Sequence, residues 1–114
     1  MNLQEKINIL LVDDHPQNLL SLEALLDSPD YHLVMAHSGK EALKHLLRED
    51  FALILLDVRM PDLDGLETAK LIKQREQSKC IPIIFLTALH QDERQLFEGY
   101  SVGAVDYVLK PFNP

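Results

Sequence analysis

Four apolar runs along the chain each end in a polar residue. Ile9-Leu10-Leu11-Val12 runs into Asp13-Asp14, Phe51-Ala52-Leu53-Ile54-Leu55-Leu56 into Asp57, Ile83-Ile84-Phe85-Leu86 into Thr87, and Tyr107-Val108-Leu109 into Lys110-Pro111. Short, nearly continuous apolar runs are the pattern of strands buried on both faces. Strands are predicted near Ile7 to Val12, His32 to Ala36, Leu53 to Leu56, Pro82 to Leu86 and Tyr107 to Leu109.

The gaps carry apolar residues at helical spacing. A first helix opens near Pro16, a residue suited to the first helical position, carries Leu19, Leu22, Leu25 and Leu26 on one stripe, and stops near Ser28-Pro29. Ser38-Gly39-Lys40-Glu41 has the spacing of a capping box, with Glu41 reaching back to Ser38, and Leu43, Leu46 and Leu47 follow as its buried stripe. A third helix starts near Gly65, with Leu66, Ala69 and Ile72 inward and Lys73, Arg75 and Glu76 outward. A fourth runs from about Asp92 to Val102, with Leu96 and Phe97 inward and Gly103 placed to end it.

Strands alternating with helices predict an α/β fold, a doubly wound parallel sheet of five strands covered on both faces. Asn113-Pro114 reads as a helix cap followed by a first-turn proline, so a fifth helix is expected where the sequence stops. On that reading residues 1–114 are one domain cut from a longer protein, and a missing cover helix would favour oligomers.

At 114 residues, with 46% hydrophobic and 25% charged, the chain fits a single folded domain. A net charge of −7 disfavours direct binding to nucleic acid or insertion at an anionic membrane surface. No apolar stretch nears the roughly 20 residues needed to span a bilayer, and the first residues lack the layout of a signal peptide, so a cytoplasmic site is expected. The single cysteine, Cys80, cannot form an internal disulfide, in keeping with a reducing compartment.

Ligands of doubly wound sheets bind outside the carboxyl ends of the strands, the edge to which Asp13, Asp14, Asp57, Thr87 and Lys110 all belong. Neighbouring carboxylates repel by about 4 kcal/mol per pair at 4 Å in an effective dielectric near 20, so a positive partner is required. Lys110 can balance one charge, and an all-oxygen set suits Mg²⁺, with Mn²⁺ able to substitute, better than zinc. A carboxylate-bound metal beside a lysine also suits phosphoryl transfer, and an aspartate can itself be the nucleophile, forming an acyl phosphate. Asp57, on the central strand, is the candidate acceptor.

Each residue also has a plainer role. Asp13-Asp14 alone would cap the first helix. Asp57 could belong to a capped turn, and Asp62 and Asp64 are read as turn or cap residues outside the metal set. Thr87 could bond a backbone group, and Tyr107 could be a half-buried aromatic. The five histidines, His15, His32, His37, His45 and His90, show no zinc-ligand spacing, although His15 adjoins the acids and could tune them.

Through LLVDDHPQNL, LILLDVRMPDLDGLE, IPIIFLTA and GAVDYVLKPF, in order and at one-domain spacing, the chain resembles response-regulator receiver domains of two-component phosphorelay signalling. The resemblance implies a flavodoxin-like strand order 2-1-3-4-5. It implies a phosphorylatable switch in which Asp57 accepts a phosphoryl group from a phosphohistidine of a sensor histidine kinase or histidine phosphotransfer protein, the domain catalysing its own phosphorylation and dephosphorylation. Asp13, Asp14 and Asp57, with the backbone carbonyl of Arg59, would hold Mg²⁺. Thr87 and Lys110 would meet the phosphoryl oxygens, Tyr107 would change rotamer with Thr87, and Lys110-Pro111 would be a cis peptide. The surface of the fourth helix and fifth strand would repack to regulate an output domain or a homodimer. Arg59 and Leu89, two residues beyond Asp57 and Thr87, depart from the family where the hydrolytic water passes and could slow dephosphorylation. The wording of VDDHPQNL and GAVDYVLKPFNP leans toward receivers joined to histidine kinases.

Three alternatives stand beside this. A degenerate receiver would act only as a protein-interaction module. An aspartyl-phosphate phosphatase of the haloacid-dehalogenase type would end its first strand in Asp-x-Asp, where this chain has Asp13-Asp14-His15-Pro16. A flavin-binding domain would need a Ser/Thr/Gly-rich phosphate loop after that strand, and none follows.

Overall fold

Alternate residues of the apolar runs feed two different cores, and that division builds the molecule in three layers. The computed structural model describes residues 6–87 and 106–109. Within them the order is β1 (Ile7–Val12), α1 (Pro16–Leu25), β2 (Tyr31–Ala36), α2 (Gly39–Leu46), β3 (Leu53–Asp57), α3 (Gly65–Gln74), β4 (Ile83–Thr87) and β5 (Asp106–Leu109). All five strands pair in parallel, in the order β2-β1-β3-β4-β5. The doubly wound sheet expected from the sequence is therefore present, with β3 at its centre.

Leu10, Val12, Ile54, Leu56, Ile83 and Phe85 turn to one face and pack with Ala42 and Leu46 of α2 and Leu66, Ala69 and Ile72 of α3. Ile9, Leu11, Leu55 and Leu86 turn to the other and meet Leu19 and Leu22 of α1. This explains why the runs do not alternate with polar residues: neither face of β1, β3 or β4 is given to water. Leu10, Leu11, Ile54, Leu56, Phe85 and Leu86 are fully buried, each burial stabilising the fold by roughly 1.5–3 kcal/mol.

Helix ends follow local chemistry, with two differences from expectation. α1 ends at Leu25, before Ser28-Pro29, because these two residues form the turn into β2: Asp30 N donates to Ser28 Oγ (3.1 Å) and Tyr31 N to Ser28 O (3.2 Å). At α2 only half of the capping box forms. Ser38 Oγ accepts from Glu41 N at 3.1 Å, while the Glu41 carboxylate lies 3.4 Å from His37 Nδ1 rather than reaching back. At α3 Asp64 is the cap, its Oδ1 accepting from Glu67 N at 2.8 Å, as expected of a residue outside the metal set. The predicted fourth helix at 92–102, with Leu96, Phe97 and Gly103, lies outside the described residues, as do Leu89, His90, Lys110-Pro111 and Asn113-Pro114.

The link from α3 to β4 is held from within. Ser78 Oγ donates to Ile72 O at 2.7 Å, and Lys73, expected to face outward, is half-buried with Nζ donating to Lys79 O (3.1 Å) and Ile81 O (2.7 Å). Its long stem explains the difference, since the methylenes can cover apolar surface while the ammonium meets carbonyls. Burial lowers the Lys73 pKa, and the neighbouring Cys80 opposes that shift. The folded protein therefore holds the Lys73 proton less tightly than the unfolded chain, and stability contributed by this group rises as pH climbs through the lysine range. Lys73→Met, which strips both carbonyls of their donor, is expected to cost about 1–2 kcal/mol in urea unfolding at pH 7. Paired unfolding curves at higher pH should show the gap between parent and variant widening.

Candidate functional site

Strand register brings the first two carboxylates together. Val12 pairs with Leu56 across β1 and β3, so Asp13 and Asp57, each the next residue, stand level at the carboxyl edge of the sheet. They also share pleat parity, two residues beyond Leu11 and Leu55, which both face α1. Asp57 pairs in turn with Leu86, so the backbone of Thr87 comes one step further on, paired with Leu109 of β5. The side chains of Thr87 and Tyr107, and all of Lys110, lie outside what the structure describes. Phe85 pairs with Tyr107, which places the Tyr107 backbone in β5 at the strand position expected.

Both buried acids close the same small turn. Asp13, fully buried, accepts from His15 N at 2.9 Å through Oδ1, and Asp57, 3% exposed, accepts from Arg59 N at 3.4 Å through Oδ1. A side chain bonding the amide two residues on is the usual Asx turn, and here it turns the chain off the sheet edge. The plain reading of Asp13 as a helix cap does not hold. The capping position of α1 is His15, which makes no side-chain cap hydrogen bond. The second oxygen of Asp13 accepts instead from Asn18 Nδ2 on α1, at 3.1 Å.

Asp14 Oδ1 is buried and has no aligned hydrogen bond, although His15 Nδ1 lies 3.1 Å away. The same Nδ1 is 3.5 Å from Asp13 Oδ1. Asp13, Asp14, His15 and Asp57 each offer one ligand atom, and these atoms all lie within 4.8 Å of one another. A buried carboxylate oxygen without a donor, among oxygens this close, fits a divalent cation: it would neutralise repelling charges and satisfy the orphaned atom.

The loop after Asp57 is fastened at its far end. Asp62 takes a left-handed conformation (φ 65°), one that aspartate tolerates better than most residues, and Gly65 N returns to donate to Val58 O at 2.9 Å. Gly65 sits directly against the backbone of Asp57: a Cβ there would run into the Asp57 carbonyl and come within 2.8 Å of Val58 Cα. The residue is glycine for lack of room.

Residues 9–114 match the family model of the response regulator receiver domain. The chain belongs to the response regulator receiver domain family. The receiver is 40% identical over 108 residues to the transcriptional regulatory protein ZraR of Salmonella typhimurium, covering 95% of this chain and 24% of that protein. It is 35% identical over 106 residues to the transcriptional regulatory protein SrrA of Staphylococcus aureus, covering 93% of this chain and 42% of that protein. The receiver thus spans under half the length of these curated relatives. Among solved structures it is similar to the chemotaxis protein CheY4 of Vibrio cholerae, with a TM-score of 0.88 and 33% identity over 96% of this chain and 90% of that one. It also resembles the signal receiver domain of a signal transduction histidine kinase from Syntrophus aciditrophicus, with a TM-score of 0.81 and 32% identity over 93% of this chain and 80% of that one. The receiver therefore has the flavodoxin-like fold and acts in two-component signalling.

Of the residues expected at the site, Asp13, Asp14 and Asp57 come together, while Arg59 meets Asp57 through its amide rather than the carbonyl expected of it. Asn18 was missed. Its signal was available in the spacing, since five residues beyond Asp13 a side chain on the first turn of α1 can reach back to the strand end. His15, which lacks zinc-ligand spacing but adjoins the acids in sequence, lies among them. Gly65→Ala tests the crowding at Asp57. Helix propensity alone would favour alanine by about 0.5–1 kcal/mol; overpacking against backbone is expected to reverse the sign and destabilise by about 1–3 kcal/mol in urea unfolding.

Proposed function

We propose that this receiver is a phosphorylatable switch whose acceptor is Asp57. The observation that carries this reading is the pair of buried carboxylates, Asp13 and Asp57, held level on adjacent strands with Asp14 alongside. Carboxylates buried together at strand ends must be hydrogen-bonded or paired, and a cluster of them suits a group that brings a cation with it.

Asp13, Asp14 and Asp57, with the Arg59 carbonyl, would hold Mg²⁺, or Mn²⁺ in its place. The bound ion supplies charge neutralisation for a phosphoryl group in transit. The donor is a phosphohistidine of a sensor histidine kinase or phosphotransfer protein. An Asp57 carboxylate oxygen attacks phosphorus, a P–O bond forms as the P–N bond breaks, and the electron pair leaves on the donor imidazole, which takes up a proton. Water later attacks phosphorus, the P–O bond to Asp57 breaks, and inorganic phosphate leaves as Asp57 returns to a carboxylate. Thr87 and Lys110 receive the phosphoryl oxygens, and Tyr107 follows Thr87. The repacked surface of the fourth helix and fifth strand then acts on an output domain of a longer parent protein, or on a second receiver, in the cytoplasm.

Asn18 serves this chemistry by orienting Asp13, and the two Asx turns keep both acids from swinging away. The test is intact mass after incubation with acetyl phosphate. The parent is expected to gain one phosphoryl group only when Mg²⁺ is present, and Asp57→Asn to gain none. An adduct of equal yield on Asp57→Asn would remove Asp57 from the acceptor role, and no adduct on the parent would leave a protein-interaction module.

A further inference from the structure

We propose that His15 is a fourth side-chain donor to the cation at this edge, an inference that rests on the reading of the acids as cation ligands. His15 Nδ1 lies 3.1 Å from Asp14 Oδ1 and 3.5 Å from Asp13 Oδ1. Donors about 2.1 Å from one metal ion, at adjacent octahedral positions, stand about 3 Å apart, and opposite ones about 4.2 Å. The separations at His15 are those of neighbouring ligands, and the whole set, spread over no more than 4.8 Å, needs little adjustment to enclose one ion.

The backbone holds the ring in this place. Pro16 restricts the residue before it to extended conformations, and His15 has φ −100° and ψ 112°. Its amide is tied to Asp13 Oδ1. Asn18 occupies the other oxygen of Asp13, so that carboxylate cannot rotate away from the ring. The His15 side chain is 67% exposed, and the ion meets it without any opening of the core.

A neutral imidazole among carboxylates alters which ion the site prefers. Carboxylate and carbonyl oxygens suit Mg²⁺, whereas a nitrogen donor adds affinity along the series toward Co²⁺ and Ni²⁺. His15 therefore shifts this receiver toward borderline divalent ions without excluding Mg²⁺. A ring acting only as a counter-charge to the acids would instead compete with every cation alike.

Calorimetric titration of the parent, His15→Gln, His15→Asn and Asp13→Asn with Mg²⁺, Co²⁺ and Ni²⁺ separates these cases. Both His15 variants are expected to lose about tenfold or more in affinity for Co²⁺ and Ni²⁺ while Mg²⁺ affinity changes by less than about threefold. With Co²⁺ bound, contact-shifted imidazole proton signals should appear in the NMR spectrum of the parent and vanish in His15→Gln, a readout independent of phosphorylation and of any small change in folding. Equal changes for all three ions, or contact-shifted signals that persist in His15→Gln, would overturn the proposal. If Mg²⁺ binds the parent and is lost in Asp13→Asn while the Co²⁺ to Mg²⁺ ratio survives in His15→Gln, His15 is no ligand and the carboxylate site stands. If the parent binds none of the ions, the carboxylate reading falls and takes His15 with it.

Discussion

The pairing of Val12 with Leu56 is the contact on which the edge of this molecule depends. It sets β1 against β3 in the one register that makes Asp13 and Asp57 neighbours, and because both strands are buried on both faces that register is strongly held. A slip by one residue would send every apolar side chain of one strand to the opposite core and carry its acid out of line. The two cores thus do more than stabilise the sheet. They hold like charges side by side that would separate if either strand could move.

The sheet was legible in the sequence because its strands are short apolar runs with polar ends, and α1 to α3 because apolar residues recur at helical spacing, although Leu25 and Leu47, expected on the inner stripes, stand exposed. Asp64 as a cap and Asp57 at the tip of the central strand followed from the same logic. Finer features were less accessible. That Asp13 closes an Asx turn rather than capping α1 depends on the path of the chain past Pro16, and the role of Asn18 depends on how α1 is tilted against β1. Lys73 looked like an outward charge on the helix period, and only the course of residues 78–81 beneath it supplies the carbonyls that draw it in. His15 has no ligand spacing to another histidine, and its partners are the acids directly before it.

Charge and backbone are coupled throughout this edge. Each buried acid is held by the amide two residues along, so the atom that carries the charge also starts the loop that leaves the strand. Such an arrangement makes the loops sensitive to what the carboxylates bind, since a ligand that draws on Asp57 Oδ1 competes with the Arg59 amide. A local event at one oxygen can in this way alter the course of residues that never touch it.

The loop from Val58 to Gly65 is fastened at both ends. Its first turn hangs on the Asp57 carboxylate, and its last residue is hydrogen-bonded to Val58 O and pressed against the Asp57 carbonyl. Between these fastenings Pro61 and Asp62 stand exposed, in a turn that no strand or helix requires. The closure acts as a clasp, and it separates what the loop's tip contains from what its ends must do. Residues could be added at the tip for a small entropic cost that grows only slowly with length. Such a graft would place a label or a binding peptide a few residues from Asp57 while the strand end and the start of α3 kept their positions.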